Sequence, residues 1–148
     1  MRRFSFQLEL LQEIVAQAIA KNDPALGEQA LDTLERESFL LQELFHSDPS
    51  MALSGKLFEI AEHLSESGLQ LARYFRQVDE IDREERAWHL RYASLHIART
   101  HQRNIMGPAL LDWADCLRRM EQFEKADSLY NSVIEDFTTI LGWGPTFN

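Results

Sequence analysis

The residues whose types could do chemistry lie closest together between Trp113 and Arg119, in the segment WADCLRR. An aspartate, the single cysteine of the chain and a pair of arginines share this segment with the tryptophan. Cysteine chemistry needs a thiolate, which a neighbouring base usually produces. Cys116 has no histidine near it in the sequence, so we interpret Trp113 and Cys116 as packing residues. Asp115, Arg118 and Arg119 are interpreted as solvated charges.

A second segment, from Arg86 to Arg103, holds four arginines and three histidines without one acidic residue, in a chain whose net charge is −9. On one continuous helix Arg86, His89, His96 and Arg103 would share a face, and we call these four residues the basic stripe. The stripe predicts binding of an acidic partner segment or of phosphate groups, strengthened when the histidines become charged at about pH 6–7. The alternative is a solvated face, or pairing with the protein's own surplus carboxylates.

Motifs for catalysis and metal binding are missing from the sequence. His89 and His96 are seven positions apart, about 10 Å along a helix, so we expect no metal site and no cofactor. No phosphate-binding loop, nucleophile elbow or zinc motif occurs, and we expect a protein that is not an enzyme. The segment EHLSESG around His63 resembles a histidine phosphotransfer site. That family has a lysine or arginine soon after the histidine, whereas Ser65 and Glu66 stand here.

The composition fits a single globular domain, which we expect to span residues 1–148. Of these residues 45% are hydrophobic and 26% are charged. The excess of 24 acidic over 15 basic side chains disfavours general binding to nucleic acid or to an anionic membrane. One cysteine allows no intramolecular disulfide and suits a reducing compartment. The first twenty residues contain neither a secretory signal nor a membrane span, so we expect a cytoplasmic protein.

The spacing of apolar residues predicts six helices and almost no strand. The segment Asn22–Pro24 is expected to end the first helix and to begin the second. Asp82 and Glu85 form a capping-box pattern at the start of the fourth, and Gly107–Pro108 is expected to begin the fifth. Short loops favour antiparallel hairpins. The predicted ranges are 5–21, 24–46, 49–76, 82–103, 108–120 and 122–141.

The last two predicted helices carry small and large residues at regular positions. Ala114 and Ala126 are twelve positions apart, which would let two antiparallel helices approach closely. Val133 takes the last small position, and the large positions are held by Leu110, Trp113, Leu117, Phe123 and Tyr130. Over residues 108–141 this pattern resembles a tetratricopeptide repeat, which implies an all-α array of three helical hairpins. The corresponding small residues Ala16, Gly68 and Ala114 are 52 and 46 positions apart rather than about 34, so a closed six-helix bundle is the alternative.

The resemblance implies a non-catalytic scaffold or adaptor that binds a protein or peptide along the first helix of each hairpin. One position on these helices is basic in all three units, as Lys21, Arg73 and Arg119. Together with the basic stripe, these side chains predict a partner segment that bears carboxylates. Pairing of two copies of the chain stays open. The first hairpin also resembles the opening helices of flagellar export chaperones, so a cargo chaperone is the alternative function, and histidine phosphotransfer is the second alternative.

Overall fold

The structure is a computed structural model that describes residues 5–48, 50, 55–97 and 103–141, with the backbone alone at 103–105 and 136–141. Six α-helices contain nearly all of the described residues, and no strand occurs among them. The all-α prediction is therefore confirmed. The helices are α1 Leu8–Lys21, α2 Pro24–Ser47, α3 Gly55–Gln77, α4 Ile81–Ile97, α5 Arg103–Arg119 and α6 Phe123–Leu141.

Three of the connections share one backbone geometry. Asn22, Asp79 and Glu121 have positive φ angles of 50°, 61° and 62°. The N–H of each donates to the carbonyl three residues earlier, and the N–H of the next residue donates to the carbonyl five residues earlier. This is the Schellman arrangement, which satisfies the last carbonyls of a helix. The α1–α2, α3–α4 and α5–α6 connections are thus three copies of one tight turn.

The start of α2 is as predicted. Asp23 accepts a hydrogen bond from the backbone N–H of Leu26 through Oδ1, at 3.2 Å. Pro24 is the first helical residue. At this position the backbone N–H makes no hydrogen bond within the helix, so the N–H that proline lacks is not needed. The polar cap and the proline together explain why the chain reverses here within two residues.

Helix contacts among the described residues follow the order of the chain. Each helix packs on the next one, α1 also packs on α3, and α2 also packs on α4. The main hydrophobic core joins α1 to α4 and includes the completely buried Leu34, Leu64 and Phe75. Gly68 of α3 lies so close to α4 that an added Cβ would be 2.9 Å from Cβ of Arg91. A glycine is therefore required where these two helices cross.

The α5–α6 hairpin packs through the predicted small residues. Ala114 and Ala126 are both buried, as are Leu110 and Leu117 around them. Phe123 holds the aromatic position of the repeat pattern, but it is 56% exposed and therefore not packed like the small residues. The small residues therefore pack as the resemblance predicts, whereas Phe123 is not covered by this hairpin.

Two predicted helix boundaries are wrong around α4 and α5. The fourth helix was expected to include residue 103, but Arg103 belongs to α5, which begins upstream of Gly107–Pro108; α4 is described as far as Ile97. Met106 packs with Leu95 in a small separate cluster, and this contact favours helix before the proline. The basic stripe is consequently divided between two helices. Residues 98–102 lie outside the described residues.

The start of α4 also differs from its prediction. The predicted start of the third helix at 49 lies outside the described residues, and α3 as described begins at Gly55 and continues unbroken through Ser65–Gly68. The helix α4 begins at Ile81, one residue before Asp82. Asp82 is therefore in the first helical turn and not at the capping position. Its negative charge there interacts favourably with the positive end of the helix dipole.

Candidate functional site

Residues 113–119 contribute to a joint between α4 and α5. The Glu84 carboxylate is 1% exposed and accepts a hydrogen bond from Nε1 of Trp88 at 2.9 Å. Arg119 donates to the same carboxylate with both terminal nitrogens, Nη1 to Oε1 at 3.0 Å and Nη2 to Oε2. These hydrogen bonds raise the pKa of Arg119. Arg119 was predicted to be a solvated charge, and that prediction is wrong.

Cys116 lies beside this Glu84 joint and is completely buried. Burial, followed by the nearby Glu84 carboxylate, raises the pKa of the Cys116 thiol to about 12. A thiol with this pKa carries almost no thiolate at neutral pH, and nucleophilic chemistry needs the thiolate. Cys116 is a packing residue, as the sequence indicated.

Arg86 of the basic stripe is engaged with α2. Its Nη2 donates to Oδ1 of Asp32 at 2.9 Å and also to Glu35. Burial alone would lower the pKa of Arg86, but the hydrogen bonds to the two carboxylates outweigh it and raise the pKa. One turn earlier, Arg83 donates to Glu28 of α2 at 3.0 Å. The arginines at this end of α4 therefore neutralise the protein's own carboxylates, which was the alternative interpretation of the stripe.

The two histidines of the stripe remain on the surface of α4. The His89 ring stacks on Trp113 of α5 with 4.7 Å between centroids and 13° between planes. His96 is exposed and its Nδ1 lies 3.4 Å from the hydroxyl of Tyr92. The Arg103 side chain lies outside the described residues. The structure thus brings His89 together with Trp113 and not with the other basic residues.

His89 and Trp113 line an open groove between α4 and α6, with α5 as its floor. The groove has a volume of about 620 Å³. The Trp113 ring is half-buried, and its Nε1 is enclosed without a hydrogen-bond acceptor. Buried indole N–H groups usually have a partner, so this donor is unusual. We call this feature the α4–α6 groove; its lining residues are Glu85, His89, Trp113, Leu117, Glu124, Lys125, Ser128 and Leu129.

Lys21 and Arg73, the two other residues of the predicted basic row, are exposed at different places. Lys21 is the last residue of α1. Arg73 lies on α3 close enough to α5 for its charge to lower the pKa of Asp112. Arg119, the third member, points to α4 instead. The basic row on the first helix of each hairpin stays a prediction.

A second arginine–carboxylate pair joins α4 to α5 near Arg73. Nη1 of Arg91 lies 3.7 Å from Oδ2 of Asp112, which is within ion-pair range but too far for a hydrogen bond. Nε and Nη1 of Arg91 are buried without hydrogen-bond partners. Burial lowers the pKa of Arg91, Asp112 and Glu66 partly oppose that effect, and Arg73 adds to it. We call this pair the Arg91 joint.

Neither Glu84 nor Arg91 was singled out from the sequence, although a signal for both was present. Ala87 and Ser94 are buried on α4, and Arg91 is four positions after the first and three before the second. Glu84 is three positions before Ala87. Residues at these spacings share a helix face, so two charges on the buried face could have been noticed.

The surroundings of His63 do not favour phosphotransfer. A side-chain nitrogen of Gln12 on α1 lies 2.8 Å from Nδ1 of the imidazole. Glu62 and Glu66, both exposed, are its neighbours on α3. Two carboxylates beside an exposed imidazole would repel an incoming phosphoryl group.

The chain matches no protein-family model, no curated protein and no solved structure. None of the helices within the described ranges combines the length and the apolar composition needed to cross a bilayer. Among the described residues, no group of three or more metal-ligating side chains comes together.

Proposed function

We propose that this protein is a non-catalytic interaction module, built of tetratricopeptide-like helical hairpins, that holds a segment of a partner protein in the α4–α6 groove. The observation that carries the proposal is the half-buried Trp113 on the floor of an open groove, with an indole donor that has no acceptor among the described residues. Its single cysteine suits a cytoplasmic location.

The composition of the groove supports a peptide ligand. Tryptophan is enriched among the residues that dominate binding energy at protein interfaces, particularly where a polar rim surrounds an apolar centre. Here Trp113 and Leu129 supply apolar surface, and Glu85, Glu124 and Lys125 supply a charged rim. A partner segment would place an apolar side chain against the exposed part of the Trp113 ring and against Leu129.

A quantitative comparison of captured partners from the native host tests this proposal. Ser128 is exposed on the wall of the groove, and Ser128→Arg would fill it. Asn131→Arg adds the same charge at an exposed position of α6 that does not line the groove, so it is the matched control. We expect Ser128→Arg to lose partners that the parent and Asn131→Arg retain. Equal capture by all three proteins would contradict the proposal.

A cargo chaperone is the second candidate, because α6 exposes large apolar side chains outside the groove. Phe123 is 56% and Ile134 is 60% exposed, and their spacing of eleven residues places them on one side of the helix. A chaperone would keep an aggregation-prone partner soluble in co-expression through these residues. Loss of that protection in Phe123→Ser with Ile134→Ser, but not in Ser128→Arg, would favour the chaperone over the scaffold.

A further inference from the structure

The Arg91 side chain has an unusual place in the fold. It leaves α4 at the point where α3 crosses, with its Cβ against Gly68, and only 8% of the residue is exposed. Arginine stays protonated in proteins, so a full positive charge is carried into this interface. Two of its nitrogens have no hydrogen-bond partner among the described residues. A buried charge normally requires such partners, because burial removes its hydration.

Asp112 only partly compensates this charge. Its side chain is 47% exposed, and the shortest distance to the Arg91 guanidinium is 3.7 Å. A hydrogen-bonded guanidinium–carboxylate pair has separations of about 2.7–2.9 Å. Asp112 is attached to the backbone of α5, whereas a carboxylate from outside the chain would be free to approach more closely.

Positive charge is also concentrated on the open side of the joint. Arg73 and Arg76 of α3 both lower the pKa of Asp112 through their charges, as Arg91 does. Three guanidinium groups therefore act on one aspartate, in a chain of net charge −9. Asp115 and Glu66 are the other carboxylates that influence the joint. An additional singly charged oxyanion would be favoured here more than a doubly charged phosphate, since Asp112 and Asp115 repel the second charge.

We infer that Arg73 of α3, Arg91 of α4 and Asp112 of α5 form a seam that binds a carboxylate of a partner segment, which Arg73 and Arg91 hold in place of Asp112. The incoming carboxylate accepts hydrogen bonds from the guanidinium of Arg91 at the buried end and from Arg73 at the exposed end. The Asp112 side chain, which is already half exposed, rotates outward into the solvent. The seam shares no lining residue with the α4–α6 groove, so the two sites can be tested separately.

The direct test is titration of the full chain, labelled with ¹⁵N, with an acetylated and amidated tetraglutamate peptide at low ionic strength. The Nε–H resonance of Arg91 should move as the peptide binds. Arg73→Gln and Arg91→Met should each weaken binding roughly tenfold, the effect of losing a hydrogen bond to a charged group. Asp112→Asn should tighten it roughly threefold, the effect of removing a half-exposed competing ion pair.

Matched controls separate a local effect from the change in net charge. Arg36→Gln on α2 and Asp127→Asn on α6 alter the same charges at exposed positions, and binding should stay within about twofold of the parent. Methionine retains most of the Arg91 stem, and Arg73→Gln changes an exposed residue, so one variant remains informative if the other fails to fold.

Three results would overturn the inference. They are an unchanged affinity in both arginine variants, an equal loss in the Arg36→Gln control, and a larger Arg91 shift with inorganic phosphate than with the peptide at matched ionic strength. The peptide is synthetic, and the site does not depend on the groove. Failure here would therefore leave the proposed function standing, and failure of the groove variants would leave this inference standing.

Discussion

The Glu84 joint and the Arg91 joint contain the same two chemical groups and join the same two helices, but their burial is reversed. In the first the carboxylate is buried, and the arginine, with 37% of its side chain exposed, reaches in to meet it. In the second the guanidinium is buried and the carboxylate is half exposed. The first carboxylate accepts three hydrogen bonds from Trp88 and Arg119. The buried guanidinium lacks partners at two nitrogens.

The difference shows which joint stabilises the fold. An exposed arginine can extend to a buried carboxylate because its stem is long and its donors are paired in a plane. An aspartate has a single methylene and cannot extend to a buried guanidinium in the same way. We therefore assign the Glu84 joint to stability and the Arg91 joint to recognition.

The largest effect is expected from Arg119→Ala, which leaves the Glu84 carboxylate buried without its counterion. Removing one partner of a buried pair typically costs about 3–5 kcal/mol, and the free energy of unfolding should fall by that order in denaturant titration. Arg118→Ala, an exposed neighbour on the same helix, should change it by no more than about 0.5 kcal/mol. Similar values for the two variants would remove the distinction between the joints.

The second largest effect is expected from Gly68→Ala, at the point where α3 crosses α4 beside Arg91. In Gly68→Ala the new methyl group would lie 2.9 Å from Cβ of Arg91 and 3.2 Å from the carbonyl oxygen of Ala87. Overpacking of this kind destabilises by about 1–3 kcal/mol, against a gain of about 1 kcal/mol in helix propensity. Thermal unfolding should show a net loss.

Gly107→Ala is the control for that substitution, because nothing lies within 4 Å of the added Cβ. It should change the melting temperature little, because the gain in helix propensity is opposed by the steric restriction that Pro108 places on a Cβ at the preceding residue. A rise in melting temperature for Gly68→Ala would mean that α3 and α4 can separate without cost, and the explanation given for the position of Arg91 would be wrong.

A smaller effect is expected from Asp112→Asn, measured as unfolding free energy without ligand. Exposed and half-exposed ion pairs contribute about 0–1 kcal/mol, and the 3.7 Å separation provides no hydrogen bond to lose. The change should stay below about 1 kcal/mol. A loss as large as that of Arg119→Ala would show that Asp112 is a structural partner of Arg91, which contradicts the assignment to recognition.

The smallest effect on the free energy of unfolding is expected at Glu37, a buried acid on α2. Glu37 is 6% exposed, its Oε2 has no hydrogen-bond partner, and burial raises its pKa above the usual 4.5, although the backbone of Gln7 and the charge of Arg36 oppose the shift. An acid with a raised pKa in the folded state loses stabilising free energy as the pH rises from the unfolded pKa to the folded one.

Glu37→Gln should therefore be more stable than the parent at neutral pH, by less than about 1 kcal/mol. The advantage should vanish when the pH falls below the unfolded pKa, where the parent carboxyl is protonated in both states. Chemical unfolding at several pH values checks this. An advantage that does not depend on pH would have to come from packing.

Much of the local structure could be predicted from the sequence, because it depends on neighbours along the chain. Six helices follow from apolar spacing, and the α1–α2 turn follows from Asp23 as a cap and Pro24 as the first helical residue. Cys116 was predicted to pack because no base is near it in sequence. The burial of Ala114 and Ala126 likewise follows from their spacing on two helices that must cross.

The tertiary structure alone decided what each charged residue does. Arg118 and Arg119 are adjacent in the sequence, but only Arg119 reaches a buried carboxylate, which lies 35 positions away. The helical turn before Gly107–Pro108 similarly includes Met106, which packs with Leu95 of another helix. The physical reason is that helix propensity acts over a few residues, whereas the energy of a charge depends on burial and on the partners that other helices place beside it.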